Sequence, residues 1–253
     1  MNWEGMYTLF YKELKRFSKV ALQTVMAPIV TALLYLLVFS HVLEAHIKVY
    51  ENVSYSAFLI PGLIMMSVIQ NAFANSSSSL IQSKVTGNII FVLLTPLSYF
   101  EFYCAFLGAS IVRGVTVGLG IFIVAIFFVS LPIYSLFWLL LFALFSSAVL
   151  GTLGIIAGIL AEKFDHMAGF QNFVIMPLSF LSGVFYSIHS LPGFWQLLSK
   201  FNPFLYMIDG FRFGFFGISD VNPFFSLAVV TLFWLGLGGL TLALLRSGYK
   251  LRD

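Results

Sequence analysis

Residues 136–160 read LFWLLLFALFSSAVLGTLGIIAGIL, an unbroken run without one charged side chain. A helix crossing the hydrocarbon core of a bilayer takes about 20 apolar residues, and a helix satisfies every backbone N–H and C=O where no water reaches. The run therefore reads as a transmembrane helix. It lies inside a longer uncharged tract from Gly114 to Ala161, which has room for a second span ending near Leu131-Pro132. Further uncharged stretches run from Val20 to Leu43, Asn52 to Ser83, His166 to Ser199 and Val221 to Leu245. The spans expected are about 20–42, 55–77, 107–130, 136–160, 168–187 and 223–245, an all-α membrane protein with six transmembrane helices in one domain, 1–253.

Composition agrees with that reading. Of the 253 residues 60% are hydrophobic and 9% charged, against roughly 25% charged in an ordinary soluble domain, so the chain cannot clothe itself in water-compatible surface. A net charge of +3 is too small to draw the chain to nucleic acid over a distance. Cys104 is the single cysteine; no intrachain disulfide can form, and a small buried apolar role suits it. The first apolar stretch is longer than the core of a secretory signal and has no small-x-small cleavage end, so it is kept as the first span.

The basic residues set the orientation. With both termini inside, Lys12, Lys15, Arg16, Lys19, Lys84, Lys163, Arg246, Lys250 and Arg252 face the cytoplasm, with Arg113 at that interface. Lys48, Lys200 and Arg212 are left outside. That asymmetry follows the positive-inside rule. Arg113 lies 18 residues before Leu131, about 27 Å along a helix, where it can snorkel to the interface.

The segments between spans carry their own patterns. Residues 3–18 place Trp3, Met6, Phe10, Leu14 and Phe17 on one side and Lys12, Lys15, Arg16 and Lys19 on the other, an amphipathic helix lying in the interface, or else a solvated basic leader. Pro28 predicts a kink in the first span. The second span ends in Asn71, Asn75 and four serines, polar groups suited to a water-filled path or a partner helix. Residues 80–100, broken by Lys84, Gly87 and Thr95-Pro96, read as a short interfacial helix or an ordinary interfacial loop. Gly154-x-x-x-Gly158 invites close helix packing. Glu162, Lys163, Asp165 and His166 form a charged turn. Residues 188–220, aromatic but interrupted by Pro192, Gly193, Asn202-Pro203, Asp209-Gly210 and Gly214, read as two short helices dipping into the membrane. Asp209 and Arg212, three apart, are expected to pair on one helical turn.

Catalytic chemistry is hard to find here. There is no Gly-x-x-x-x-Gly-Lys-Ser/Thr phosphate loop and no His-Glu-x-x-His or paired cysteines. His41, His46, His166 and His189 are scattered, and Ser179 and Ser182 have no matching His and Asp. No catalytic, cofactor or metal residue is assigned. Charges inside the spans are almost missing, which counts against an ion-coupled carrier and leaves the energy to a separate ATPase. That partner would dock on 80–100, on the turn at 162–166 and on the leader, with 84–96 as the helix-in-groove contact. A self-sufficient secondary carrier and a non-transporting scaffold stay open.

Three stretches carry a resemblance. Pro61-Gly-Leu-Ile-Met-Met-Ser67 and Leu93-Leu-Thr-Pro-Leu-Ser98 form one part; Leu181-Ser-Gly-Val-Phe-Tyr-Ser187 with Leu191-Pro-Gly-Phe-Trp195, Asn202-Pro203 and Asp209-Gly-Phe-Arg212 form the most specific part. Over essentially its whole length the chain resembles the ABC-2 type exporter permeases, and within them a bacterial inner-membrane branch. The resemblance implies a homodimer bound to two copies of an ABC ATPase, which would hold ATP and Mg, with none on this chain. It makes Lys84, Gly87, Asn88, Phe91, Leu93, Leu94, Thr95 and Pro96 the coupling segment, and Asn202, Pro203, Asp209 and Arg212 an outer gate in a re-entrant segment, 188–220. Relatives often carry an acidic residue where this chain reads Asn88-Ile-Ile-Phe91, so apolar docking is expected in place of a salt bridge. Asn71 and Asn75 are candidates for the path of an amphipathic or lipid-linked cargo, leaving across the bacterial inner membrane.

Overall fold

The computed structural model describes residues 2–43 and 53–250, with 40–43 described by backbone alone. The polar segment holding Glu44, His46, Lys48, Glu51 and Asn52 lies outside the described residues, as does Arg252. The regular elements are helices. In order they are α1 (Trp3–Ser18), α2 (Ala21–Leu43), α3 (Tyr55–Val85), α4 (Ile89–Leu93), α5 (Tyr99–Ala125), α6 (Leu136–Leu160), α7 (Phe164–Phe170), α8 (Met176–Phe180), α9 (Gly193–Lys200), α10 (Pro203–Phe216) and α11 (Pro223–Ser247). Five of them, α2, α3, α5, α6 and α11, are long and apolar enough to cross a membrane.

The stretch expected as a fifth span, 168–187, differs from the others. A π-helical segment, Gln171–Ile175, joins α7 to α8, and the chain leaves helical geometry after Phe180. Pro177 supplies the physical reason. Its ring crowds the carbonyl four residues back and it has no N–H to donate, and widening the preceding turn relieves both problems.

Helix α5 begins at Tyr99, ahead of the expected 107. Ser98 accepts the Glu101 N–H at 3.2 Å while the Glu101 carboxylate accepts the Ser98 N–H at 2.8 Å, a capping box that satisfies two otherwise orphaned donors. Arg113 therefore falls in the middle of α5. Helix α3 likewise continues past 77, because its serines find carbonyl acceptors: Ser77 bonds Phe73 at 2.8 Å and Ser76 bonds Gly151 on α6 at 2.7 Å. Its 31 residues make about 46 Å of helix, more than the roughly 30 Å hydrocarbon core.

At the centre lies α3, covered along nearly its whole length from Tyr55 to Ile81. Helices α2 and α11 are peripheral and leave Leu22, Leu34, Leu232 and Leu235 exposed, as lipid-facing helices do. The most extensive contact in the bundle is α3 on α6. A methyl group at Gly158 would come within 2.7 Å of the Leu80 Cβ, and one at Gly154 would strike the Phe73 carbonyl. Lipid supplies no hydrophobic drive between helices, so this backbone-to-backbone approach, with its dispersion contacts and the Ser76 hydrogen bond, holds the pair together.

The bundle has two distinguishable ends. At one, Lys84 near the end of α3 meets the last carbonyls of α6, Asn2 meets the start of α5, and Lys250 meets Glu162. At the other, Tyr55 donates to the Phe185 carbonyl at 2.9 Å, and Tyr134 and Ser135 donate to carbonyls of α10.

Candidate functional site

The segment expected from the sequence to couple, residues 84–96, lies at the first of these ends. Lys84 does not reach outward; its ammonium donates to the Ile159 and Ala161 carbonyls at 2.8 and 2.6 Å. A cation at a helix C-terminus completes unsatisfied carbonyls and opposes the helix dipole. Gly87 follows with φ +75°, a left-handed turn that a glycine enters without a Cβ penalty. Helix α4 is one short turn with Asn88 before it, and only Ile89 is buried. Ile90, Phe91 and Leu94 are 57%, 71% and 76% exposed, and Leu93, Thr95 and Pro96 are exposed beside them. This end thus offers apolar side chains on a short helix whose base is fixed by Lys84.

Helix α1 is tied to the same end. The Asn2 N–H donates to the Glu101 carboxylate, and the Asn2 side-chain amide donates to the Pro96 carbonyl at 3.4 Å. Its inward face is Leu9, Glu13 and Phe17, one turn apart, while Trp3 is 62% exposed. Of the apolar stripe expected from the sequence, Phe17 turns inward and Trp3 outward. A buried carboxylate takes part in the inward face instead.

Glu13 is fully buried. It accepts from the Arg16 Nε at 3.1 Å and lies 3.4 Å from the Lys12 ammonium. Arg16 spans on to α3, donating to the Asn75 carbonyl at 2.7 Å and the Asn75 side chain at 3.1 Å. Asn75 donates in turn to Ser110 on α5. Arg113 donates to the Asn71 side chain at 3.3 Å, and its guanidinium stands 5.8 Å from the Phe17 ring centroid. Arg113 is half-buried in this layer. The two asparagines proposed from sequence as path residues are engaged by Arg16 and Arg113. Glu13 and Ser110 escaped the sequence reading, which placed Arg16 only among the basic residues; the acid amid the lysines of the leader, at four-residue spacing from Leu9 and Phe17, was the available signal.

The gate residues sit at the opposite end and do not converge. Asn202 caps α10, accepting from the Phe204 N–H at 3.0 Å, and its amide donates to Leu178 at 2.7 Å; Pro203 takes the first helical position. Arg212 is about 15 Å further along the helix. The ion pair expected between Asp209 and Arg212 is not formed. The Asp209 carboxylate accepts the N–H groups of Asp220 and Val221, both at 2.9 Å. Arg212 donates to the Gly183 carbonyl at 2.8 Å and lays its guanidinium 3.8 Å from the Phe58 centroid. Both side chains are 1% exposed. Free backbone groups in the two neighbouring turns compete for these charges and win, because a buried unpaired N–H or C=O is costly. Asp209 thereby holds the approach to α11, and Arg212 holds the turn that follows α8.

At the first end, Lys250 donates to the Glu162 carboxylate at 2.6 Å. That hydrogen bond, and the charge behind it, hold the Glu162 carboxyl below the usual carboxylate range. Among the described residues no three His, Cys, Asp or Glu side chains stand close enough to hold a metal ion.

Comparison with known proteins fits this arrangement. The family model described as ABC-2 type transporter matches residues 4–216. The inner membrane transport permease YadH of Escherichia coli K12 is 35% identical over 253 residues, covering 100% of this chain and 99% of the relative. Nodulation protein J of Rhizobium leguminosarum bv. viciae is 26% identical over 92% of this chain and 89% of its own length. That of Rhizobium meliloti is 24% identical over 83% and 80%. Coverage from the leader helix through α10, together with a relative matched end to end, identifies the chain as a member of the ABC-2 type transporter family, a membrane-embedded transport permease.

Proposed function

We propose that the chain is the permease subunit of an ATP-driven exporter in a bacterial inner membrane, moving an amphipathic or lipid-linked cargo outward. The energy comes from a separate ABC ATPase, which binds ATP and Mg; this chain contributes no nucleotide site and no catalysis. The observation that carries the reading is the exposed apolar face of α4, Phe91 and Leu94 above all, standing beside a lysine that fastens α3 to α6. Exposed apolar side chains next to a polar rim mark a protein contact, and Gly87, Asn88, Leu93, Thr95 and Pro96 surround this one.

In this reading the run α7–π–α8 serves as a sixth crossing, both termini face the cytoplasm, and α1 lies at the inner interface. Two copies of the permease assemble with two ATPases. Asn71 and Asn75 line the path in a state where Arg16 and Arg113 release them. Asn202, Pro203, Asp209 and Arg212 hold the outer gate through the segments they fasten. Co-purification with an ABC ATPase, abolished by Leu94→Glu, is the expected result. Cargo movement by the chain in vesicles lacking any ATPase would overturn the reading.

A self-sufficient ion-coupled carrier is the second reading, and one observation favours it: Glu13, Asp209 and Arg212 are charges buried in the bundle. It requires transport that follows an ion gradient and stops when Asp209 is neutralised to Asn.

A further inference from the structure

Helix α9 has two unlike sides. Phe194 and Phe201 are 72% and 79% exposed, and Trp195, Leu197 and Leu198 are exposed with them. Gln196 and Lys200, one turn apart, line instead a cleft of about 460 Å3 shared with the 3-10 turn Ile188–Ser190 and the start of α11. His189 and Asn222 line the same cleft, as do Tyr206 and Phe225, whose rings meet edge to face at 5.8 Å. The cleft is therefore polar where it meets an apolar, aromatic helix face.

The donors in it are largely uncommitted. Among the described residues the Lys200 ammonium makes no ion pair or hydrogen bond, and nor does the His189 ring. Asn222 spends its side-chain oxygen on capping α11, accepting from Phe224 and Phe225, which leaves its amide N–H groups. Gln196 donates to the Leu191 carbonyl. Asp220 also lines the cleft, but its carboxylate already accepts from Ser187 and Ile188 at 2.7 and 2.8 Å, and it is not counted as a ligand. Behind it, Asp209 is turned to backbone and Arg212 to Gly183.

We infer that this cleft binds a membrane phospholipid through its phosphate. Lys200 and His189 donate to the phosphate oxygens, Asn222 donates to the headgroup or glycerol oxygens, and the acyl chains lie on the apolar face of α9. A soluble phosphate would use these donors alone. The adjoining exposed rings, with a tryptophan at what becomes headgroup depth, are accounted for only by a ligand that brings its own hydrocarbon. Lysine reaching from an apolar stretch toward a lipid phosphate is the ordinary geometry of a membrane interface. The leaflet rests on the proposed orientation; phosphate binding does not.

The test uses the full chain purified in dodecyl maltoside, a phosphate-free detergent, challenged with dioleoylphosphatidylglycerol, dioleoylglycerol and glycerol 3-phosphate, and read by native mass spectrometry. Retention of phosphatidylglycerol alone is expected, with about tenfold weaker retention in Lys200→Ala/His189→Ala and wild-type retention in Lys200→Arg. Thermal unfolding of each variant shows that it is folded. Equal retention by the double variant, or equal binding of dioleoylglycerol, overturns the phosphate site. Binding of glycerol 3-phosphate as tight as that of the lipid overturns the lipid assignment. Cross-linking between two copies through Lys200→Cys, in a Cys104→Ala background, makes the face a subunit contact and overturns the proposal. Labelling the same cysteine in intact cells with an impermeant thiol reagent reports the leaflet, so a wrong orientation shows itself separately from a failure of binding.

Discussion

The two ends of the bundle use charge in opposite ways. At the end that carries α4, Lys84 and Lys250 fasten helix termini together from partly exposed positions, and the apolar side chains of α4 are left outside. At the far end Asp209 and Arg212 are buried and turned to backbone, Arg212 with its guanidinium also on the Phe58 ring, while α10 packs its glycines on α6 so closely that Gly214 admits no methyl beside Leu139. One end leaves apolar side chains uncovered and the other holds irregular chain in place. The comparison teaches that a polar residue in a membrane bundle is read by what its neighbours lack. Where turns leave N–H and C=O groups unmet, charges turn inward; where a helix ends in water, they clasp from the rim.

Substitutions at Asp209 strain that contrast most. Asp209→Ala orphans the N–H groups of Asp220 and Val221 and leaves Arg212 without its nearest opposite charge. A loss of about 3 kcal/mol in unfolding free energy is expected, read as a lowered thermal midpoint in detergent together with faster hydrogen exchange at residues 220 and 221. The exchanged pair Asp209→Arg/Arg212→Asp does not restore it, because the new Arg meets N–H donors and the new Asp meets a carbonyl. Recovery by the exchanged pair would show that the two side chains act on each other directly.

Next in size is Glu13→Ala, which strips the buried partner from Arg16. A loss of about 2 kcal/mol, between the values for exposed and fully buried pairs, is expected in the same unfolding measurement. Lys84→Met keeps the stem and removes the ammonium from the end of α6, for about 1.5 kcal/mol. Cysteine cross-linking between residues 85 and 163 would report the looser junction as a lower yield. The smallest stability effect belongs to Leu94→Glu, within about 0.5 kcal/mol because the side chain touches solvent, yet this is the substitution expected to release the ATPase. If Leu94→Glu unfolds the chain as readily as Asp209→Ala, the two ends do not differ in the way described.

Much of the fold was legible in residue order because membrane helices advertise themselves by length and apolarity. The stretch 136–160 is α6 from end to end, and Gly154-x-x-x-Gly158 lies against α3. The early start of α5 was also legible in Ser98-x-x-Glu101, a capping signature at the end of the interrupted segment. Pro177 offered a similar warning for the π segment. The site was less legible. Exposure of Phe91 and Leu94 follows from an apolar run too short to cross the bilayer, but the partners of Arg16, Arg113 and Arg212 come from elements 59, 42 and 29 residues away, and local spacing says nothing about them.

By itself, then, the sequence determined that this chain lives in a bilayer, where its long helices begin and end to within a turn or so in most cases, and which short segment stays outside with apolar side chains. Those properties depend on hydropathy, proline and caps, all of them local. Only the tertiary structure decided which carbonyls and N–H groups were left unpaired once the helices had packed, and so where each charged side chain had to go. Three-residue spacing placed Asp209 and Arg212 within reach of each other; the bare backbone of the turns beside them drew the two apart.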